Sequence, residues 1–306
     1  MAKKKKKIFK LVLKRFINPV HLWRVIRLQR NRKKVKRVYD DAQLKLYHQL
    51  LPGDYLHYGY FDDPSVHPLD MTINMIYKAQ DRYAEKIAEL VTDTQRPILD
   101  IGCGMGGLLG LMNKRGLHAT GLTPDVNQAR HIRTKYPNTL IESRFEDLDG
   151  TKYEKHFGTV ITSESLQYLE TEIALPLIDR ILVSGGKWLA CDYFRTGTEG
   201  EKSGHNWKLF AEALEKHRFR ITWQEDITPN ILPTIAYVHH WAANIGVPVK
   251  NFALEKLKVK SPGIHYALEE AIPLIEEKIK KNIDTVDPAI FAANKRYVLM
   301  VIERVV

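Results

Sequence analysis

From Pro97 onward the chain alternates short apolar runs with stretches of helical period: "PILDIG", "HATGLT", "TLIES", "FGTVITSE", "GGKWLACDYF", "FRITWQED" and "RYVLMVIERV". Strands spaced by helix-length segments do not close as hairpins. Each helix must cross the sheet and return, which predicts an α/β fold with a doubly wound, seven-stranded, mostly parallel sheet. Upstream, residues 38–51 and 70–92 read as helices around an aromatic loop, "PGDYLHYGYFDDPSVHP". Residues 227–294 interrupt the alternation before the last run. Their segments "NILPTIAYVHHWAANIG" and "GIHYALEEAIPLIEEKIKKNI" read as helices, expected to form a substrate lid over the carboxyl edge of the sheet.

The formal charge of +11 belongs to one end of the 306 residues. Residues 1–37 hold sixteen Lys or Arg and no acid, which leaves thirty-one bases against 36 acids in the remainder. The body, residues 38–306, is therefore slightly acidic, which argues against nucleic acid as its partner. In the tail, lysines at 7, 10 and 14 sit among Ile8, Phe9, Leu11, Val12, Leu13, Phe16 and Ile17. Asn18 and Pro19 then offer a cap and first turn for a second helix, with Val20, Leu22, Trp23 and Ile26 set among arginines. Basic amphipathic helices of this kind suit an anionic membrane surface. The lysines interrupt any signal-peptide core, and no apolar run is long enough to span a bilayer. Packing of the apolar residues on the body is the alternative. Two cysteines, Cys103 and Cys191, suggest neither a disulfide framework nor a metal cluster, and a cytoplasmic setting, peripheral to a membrane at most, is expected.

"ILDIGCGMGG", residues 98–107, puts four glycines where a buried strand turns into the helix "GLLGLMNKRG". In such sheets ligands bind at the carboxyl ends of strands, and a glycine turn lets one approach the backbone while helix-start amides point at it. Gly102, Gly104 and Gly107 match the G-x-G-x-x-G spacing of dinucleotide enzymes. That fingerprint also needs an acid at the tip of the second strand, where this chain has Leu122 and Thr123 and reaches Asp125 only later.

"LDIGCGMGG" resembles the D-x-G-C-G-x-G loop of class I S-adenosylmethionine-dependent methyltransferases. Three further segments place the likeness nearest the tocopherol C-methyltransferase, small-molecule N-methyltransferase and cyclopropane fatty acid synthase group. "GLTPDVNQ" is similar to the segment with which those families hold the cofactor ribose, implying that role for Thr123 and Gln128. "SRFEDL" is similar to their adenine segment, implying Phe145 beside the ring and Glu146 accepting from its amino group. "TSESLQYL" resembles the stretch after the fourth strand, with Ser163 lining the methionine part and Glu164 facing the substrate. The resemblance also implies that Asp100, Gly102 and Gly104 contact S-adenosyl-L-methionine, and that "LHYGYFDDP" closes over it.

Methyl transfer needs an in-line approach, a dry pocket and often a proton acceptor. His57, Tyr58 and Glu164 are the candidate catalytic residues, with Asp192, His239 and His240 as weaker proton acceptors and Tyr60, Phe61 and Tyr193 as candidate walls. The apolar, aromatic insertion points to a small amphiphilic or lipid-like acceptor. Cyclopropane synthases place a Cys, a Glu and a His around a bicarbonate; here those positions read Tyr58, Gln167 and Cys191, which favours transfer of an intact methyl group. An RNA methyltransferase using the basic tail is the other alternative, and "TSES" lacks the N-P-P-Y pattern of base-amino methylases.

Overall fold

A computed structural model describes residues 18–32, 53–137, 139–197 and 203–305. The helix expected over residues 38–51 and most of the basic tail lie outside the described residues. The chain divides into two compact units, residues 1–44 and 45–306. In the first, helix α1 (Pro19–Arg32) starts where the sequence places its cap: the Asn18 side chain accepts from Val20 N–H at 3.0 Å. Val20, Leu22, Trp23 and Ile26 are all exposed on it.

The second unit is built on one sheet. Strands β1 (Ile98–Ile101), β2 (Ala119–Thr123), β3 (Leu140–Glu142), β4 (Phe157–Ser163), β5 (Leu182–Arg195), β7 (Phe219–Asp226) and β8 (Lys295–Arg304) lie in the order β3-β2-β1-β4-β5-β8-β7. The first five are parallel; β8 runs antiparallel to both β5 and β7. All seven expected runs are strands. An eighth, β6 (His205–Asn206), pairs with the end of β5, and its two residues are too few to leave a periodic signal.

All four residues of β1 are buried, because helices cover both faces of the sheet, so the strand reads as a continuous apolar run. The side chains still alternate. Ile98 joins one core with Tyr83, Ile87, Leu109, Ile132 and Tyr297, whereas Leu99 and Ile101 join the opposite core with Phe157, Ile178, Trp188 and Phe210. β8 divides likewise, Tyr297, Leu299 and Val301 against Val298, Met300 and Ile302. Each fully buried residue of this size contributes about 1.5–3 kcal/mol of transfer free energy.

Helix α2 (Ile73–Glu89) is capped by Thr72, whose side chain accepts from Met75 N–H. Ile76, Ala79, Gln80, Tyr83, Ala84, Ile87 and Ala88 form its buried stripe at three- and four-residue steps. Helices α3 (Gly107–Lys114) and α4 (Val126–Lys135) follow β1 and β2; Asp125 caps α4 by accepting from Asn127 and Gln128 N–H. Helices α5 (Thr171–Ile181) and α6 (Trp207–Lys216) bracket β5 in sequence.

The insertion between β7 and β8 is mainly helical: α7 (Thr228–Trp241), one π turn (Ala242–Gly246), α8 (Val247–Lys260), α9 (Pro262–Leu268), α10 (Ala271–Thr285) and α11 (Pro288–Asn294). Only its two ends pack deeply. α7 buries Ile231, Pro233, Thr234 and Ile235, and α11 buries Phe291, whereas α8 and α10 bury nothing. No described helix is long and apolar enough to cross a membrane.

Candidate cofactor and acceptor site

The sheet grows outward from β1 through β2 to β3, then restarts on the other side of β1 with β4. This reversal makes the carboxyl ends of β1 and β4 a ligand crevice in folds of this kind. The two ends carry Asp100 with the glycine turn and Ser163 with Glu164.

Gly102, Gly104 and Gly106 have φ of +75, +54 and +89°, in the region where a side chain is strained. A Cβ on Gly102 would lie 2.5 Å from Ser165 Cβ, and one on Gly107 would lie 2.4 Å from the Tyr55 ring. What passes close to this backbone is thus partly the protein itself. Gly107 N–H, expected to face a ligand, instead donates to the Asp54 carbonyl at 3.3 Å. Asp100 is buried behind the turn, and burial pushes its carboxyl up to about 7.

The aromatic segment expected to close over the cofactor runs across the glycine turn as a strap. At its start, the Asp54 carboxylate meets Lys135 at 2.5 Å, His131 at 3.1 Å and the Tyr136 hydroxyl. Burial raises this carboxyl, and those hydrogen bonds and charges more than offset it, so it ends below its ordinary range. Farther along, Tyr60 N–H donates to the Ala79 carbonyl at 2.8 Å and Gly59 N–H to Thr234 Oγ1 at 3.1 Å. The strap is thereby fixed to α4, α2 and α7.

Its middle reaches Glu164. This residue has φ of +51°, rare without glycine, and its N–H donates to the Cys191 carbonyl at 2.9 Å. Glu164 Oε1 accepts from Tyr58 N–H at 2.9 Å and from the Tyr297 hydroxyl at 2.6 Å. Desolvation still dominates and pushes the carboxyl up to about 7. The Tyr297 and Tyr83 hydroxyls are 3.0 Å apart, and Ser163 Oγ donates to Tyr83 at 3.2 Å.

His57 stacks on the Tyr83 ring with centroids 4.1 Å apart. Its Nδ1 lies 2.7 Å from the Tyr58 carbonyl oxygen, which only accepts, so the proton sits on Nδ1 and Nε2 presents a lone pair. Burial lowers the ring to about 4 and keeps it neutral. His57 Nε2 and Gln80 Oε1 are both buried without a hydrogen-bond partner among the described residues. Orphaned polar atoms of this kind beside a glycine turn fit a site shaped for a polar ligand.

The remaining expected cofactor residues are close to the same edge but engaged within the protein. Thr123 Oγ1 donates to Gln128 Oε1 at 2.6 Å, both side chains being buried. Phe145 is buried in the core beneath the sheet's second face. Glu146 faces Arg144 at 3.4 Å and accepts from Glu170 N–H at 3.4 Å. Asp192 is buried, accepts from Gln167 and Tyr193 N–H, and is pushed up to about 8 by burial and then by the Glu164 charge.

His239 and His240 do not join this cluster. His239 lies 3.7 Å from Asp287 and His240 Nδ1 lies 2.9 Å from Asn244, both within the insertion. Phe61 packs with Met71, Ile76 and Ala79 in a small separate core, and Tyr60 reaches Glu225 and Lys86. Tyr193 is held by Gln167 and Ser203 and packs on Phe291 at 5.9 Å.

Sequence reasoning missed Tyr83, Tyr297, Gln80 and Asp54. A signal existed for the two tyrosines: each occupies a core position of a helix or strand, where a buried hydroxyl must find a partner.

Residues 75–223 match the sequence profile of the family described as "Methyltransferase domain". That match spans just under half of the chain, and with the relatives below it indicates an S-adenosylmethionine-dependent methyltransferase, with S-adenosylmethionine as its cofactor. Two fungal proteins are similar in sequence. One is the S-adenosyl-L-methionine-dependent Diels-Alderase iccD of Talaromyces variabilis, 25% identical over 66% of this chain and 78% of its own. The other is the O-methyltransferase cnsE of Penicillium expansum, 27% identical over 52% of this chain and 57% of its own. Geranyl diphosphate C-methyltransferase from Streptomyces coelicolor A3(2), solved with Mg2+, geranyl diphosphate and S-adenosyl-L-homocysteine, shares the fold at a TM-score of 0.62. It is 17% identical, over 87% of this chain and 94% of that one.

Proposed function

We propose that the chain transfers a methyl group from S-adenosylmethionine to a small amphiphilic or lipid-like acceptor, with Glu164 taking the proton the acceptor gives up. The observation that carries this reading is the setting of Glu164: a buried carboxyl at about 7, on a strained left-handed backbone, aimed by Tyr58 N–H and the Tyr297 hydroxyl. A general base is most effective when its pKa lies near the working pH.

S-adenosylmethionine, when bound, supplies an electrophilic methyl group on a sulfonium. Asp100, Gly102, Gly104, Thr123, Gln128, Phe145, Glu146 and Ser163 are assigned to holding it. Release of the Thr123–Gln128 bond would give a sugar two neutral partners. His57 offers the Nε2 lone pair, and the strap from Asp54 to Phe61 excludes water. The aromatic rings of Tyr58, Tyr83 and Tyr297 favour a cation nearby. The basic residues of 1–37 are assigned to an anionic membrane surface, and nucleic acid is not a proposed partner.

The test is expression with methyl-labelled methionine followed by untargeted mass spectrometry of the lipid extract. A labelled amphiphile one CH2 heavier than its precursor is expected, and Glu164→Gln should abolish it. An unlabelled extract, or equal label with the variant, overturns the reading. A second reading, ring closure with the cofactor retained, is supported by the likeness to the S-adenosyl-L-methionine-dependent Diels-Alderase. It predicts cofactor binding without release of S-adenosylhomocysteine.

A further inference from the structure

Helix α8 turns its apolar stripe away from the fold. Val249, Phe252 and Val259 are 60, 61 and 81% exposed, and offsets of three and ten residues put them on one side of a 3.6-residue helix. The other side, through Val247, Lys250, Leu254 and Leu257, is half-buried, and Lys250 pairs with Glu276 at 2.7 Å. An ordinary surface helix is apolar on its inward side alone; this one is apolar on both.

The charges on the helix are mainly basic, with Glu255 the one acid beside the stripe. Lys256 lies within the stripe, its Nζ 5.4 Å from the centre of the Phe252 ring, and Lys258 and Lys260 flank Val259. The helix has four lysines and one acid, Glu255. Apolar side chains interleaved with lysines match an interface where headgroup phosphates overlie acyl chains, and a protein groove would leave those ammonium groups to be desolvated.

We propose that helix α8, residues 247–260 of the insertion, forms a membrane-docking surface for a bilayer with anionic headgroups. Val249, Phe252 and Val259 enter the headgroup and acyl boundary, and Lys256, Lys258 and Lys260 meet lipid phosphates. The surface is separate in sequence from the basic tail and does not depend on which acceptor is methylated. It belongs to the insertion whose last helix, α11, carries Phe291 and leads into β8 with Tyr297.

The test uses the full chain and co-sedimentation with vesicles of phosphatidylcholine alone or with phosphatidylserine. Replacing Val249, Phe252 and Val259 by Ser should lower partition onto phosphatidylserine vesicles at least tenfold. Changing Lys256, Lys258 and Lys260 to Gln should remove the preference for phosphatidylserine. Both effects should persist when Lys3 to Lys7 are changed to Gln, which separates this surface from the tail. Calorimetric binding of S-adenosylhomocysteine checks that the site is intact; should the triple serine variant fail that check, Phe252→Gln alone carries the comparison. Wild-type vesicle binding by the stripe variants overturns the proposal. So does a wild-type dimer that the serine variant converts to monomer while vesicle binding is unchanged. Methylation of a detergent-dispersed acceptor should be unaffected, so failure here is distinguishable from failure of the proposed reaction.

Discussion

Tyr297 donates its hydroxyl to Glu164 at 2.6 Å, joining the last strand of the sheet to the end of β4. The bond accounts for part of the carboxyl's position: burial raises it to about 7, and the Tyr297 and Tyr58 donors hold it from going higher. Tyr297→Phe keeps the ring in a fully buried place and removes one bond to a charged group, worth about 1.5–3 kcal/mol. The expected outcome is a further rise of the Glu164 carboxyl, seen as a shift of the acidic limb of the pH–rate profile to higher pH. A profile unchanged in position would show that the bond does not govern the base.

The limb itself follows from Glu164. As a proton acceptor it works ionised, so kcat should climb with pH and level off above about 7. Glu164→Gln should lower kcat by roughly 10²–10⁴-fold and abolish the limb. Calorimetric affinity for S-adenosylhomocysteine is expected to change much less. A variant whose residual rate keeps the same limb would point to another base.

How far this site was legible in the sequence depends on what each residue's signal was. Gly102 and Gly104 were legible because positive φ leaves few alternatives to glycine, and β1 because a continuous apolar run bounded by a glycine turn has one natural place in an α/β sheet. The strap was legible as a resemblance, but its anchor was not: Asp54 meets His131, Lys135 and Tyr136 more than seventy residues away, and no local pattern records that. Tyr83 and Tyr297 meet across 214 residues for the same reason. The apolar face of α8 was hidden by its own composition. Residues 249, 252 and 259 look like ordinary helix core until the fold shows that the other side of the helix faces inward.

The glycine turn can be tested where space and backbone act together. Gly102→Ala would put a methyl group 2.5 Å from Ser165 Cβ at φ of +75°. Left-handed backbone alone costs a side chain about 1–2 kcal/mol, and the overlap adds to it. Gly104→Ala has a milder contact, 3.4 Å from Leu56, so the backbone term dominates there. S-adenosylhomocysteine affinity and thermal stability should both fall further for Gly102→Ala than for Gly104→Ala. The reverse order would contradict the packing of Ser165 against the turn.

Asp54→Ala should loosen the strap without disturbing the sheet. The carboxylate is nearly inaccessible and serves three partners, yet Lys135 is half-exposed and can turn to solvent, so the loss should stay near 1–3 kcal/mol. Hydrogen exchange should speed up across residues 53–61, where Tyr58 N–H bonds Glu164, while β1 and β4 amides remain protected. Uniform acceleration over the whole sheet would mean that Asp54 supports global stability instead.

Asp100 gives the fold a pH dependence of definite sign. Its folded-state carboxyl sits at about 7 because of burial, against an ordinary value near 3.8. A carboxyl raised by folding contributes stability that is complete below about 4 and is lost as pH rises through about 7, because the folded state binds the extra proton. Asp100→Asn removes that proton from the balance. Thermal unfolding of the cofactor-free protein should therefore show the variant gaining on the wild type between pH 5 and 8, by a difference on the order of a few kcal/mol. Parallel curves for the two proteins over that range would mean that Asp100 is ionised in the folded chain, held by a donor at the turn rather than neutralised by burial.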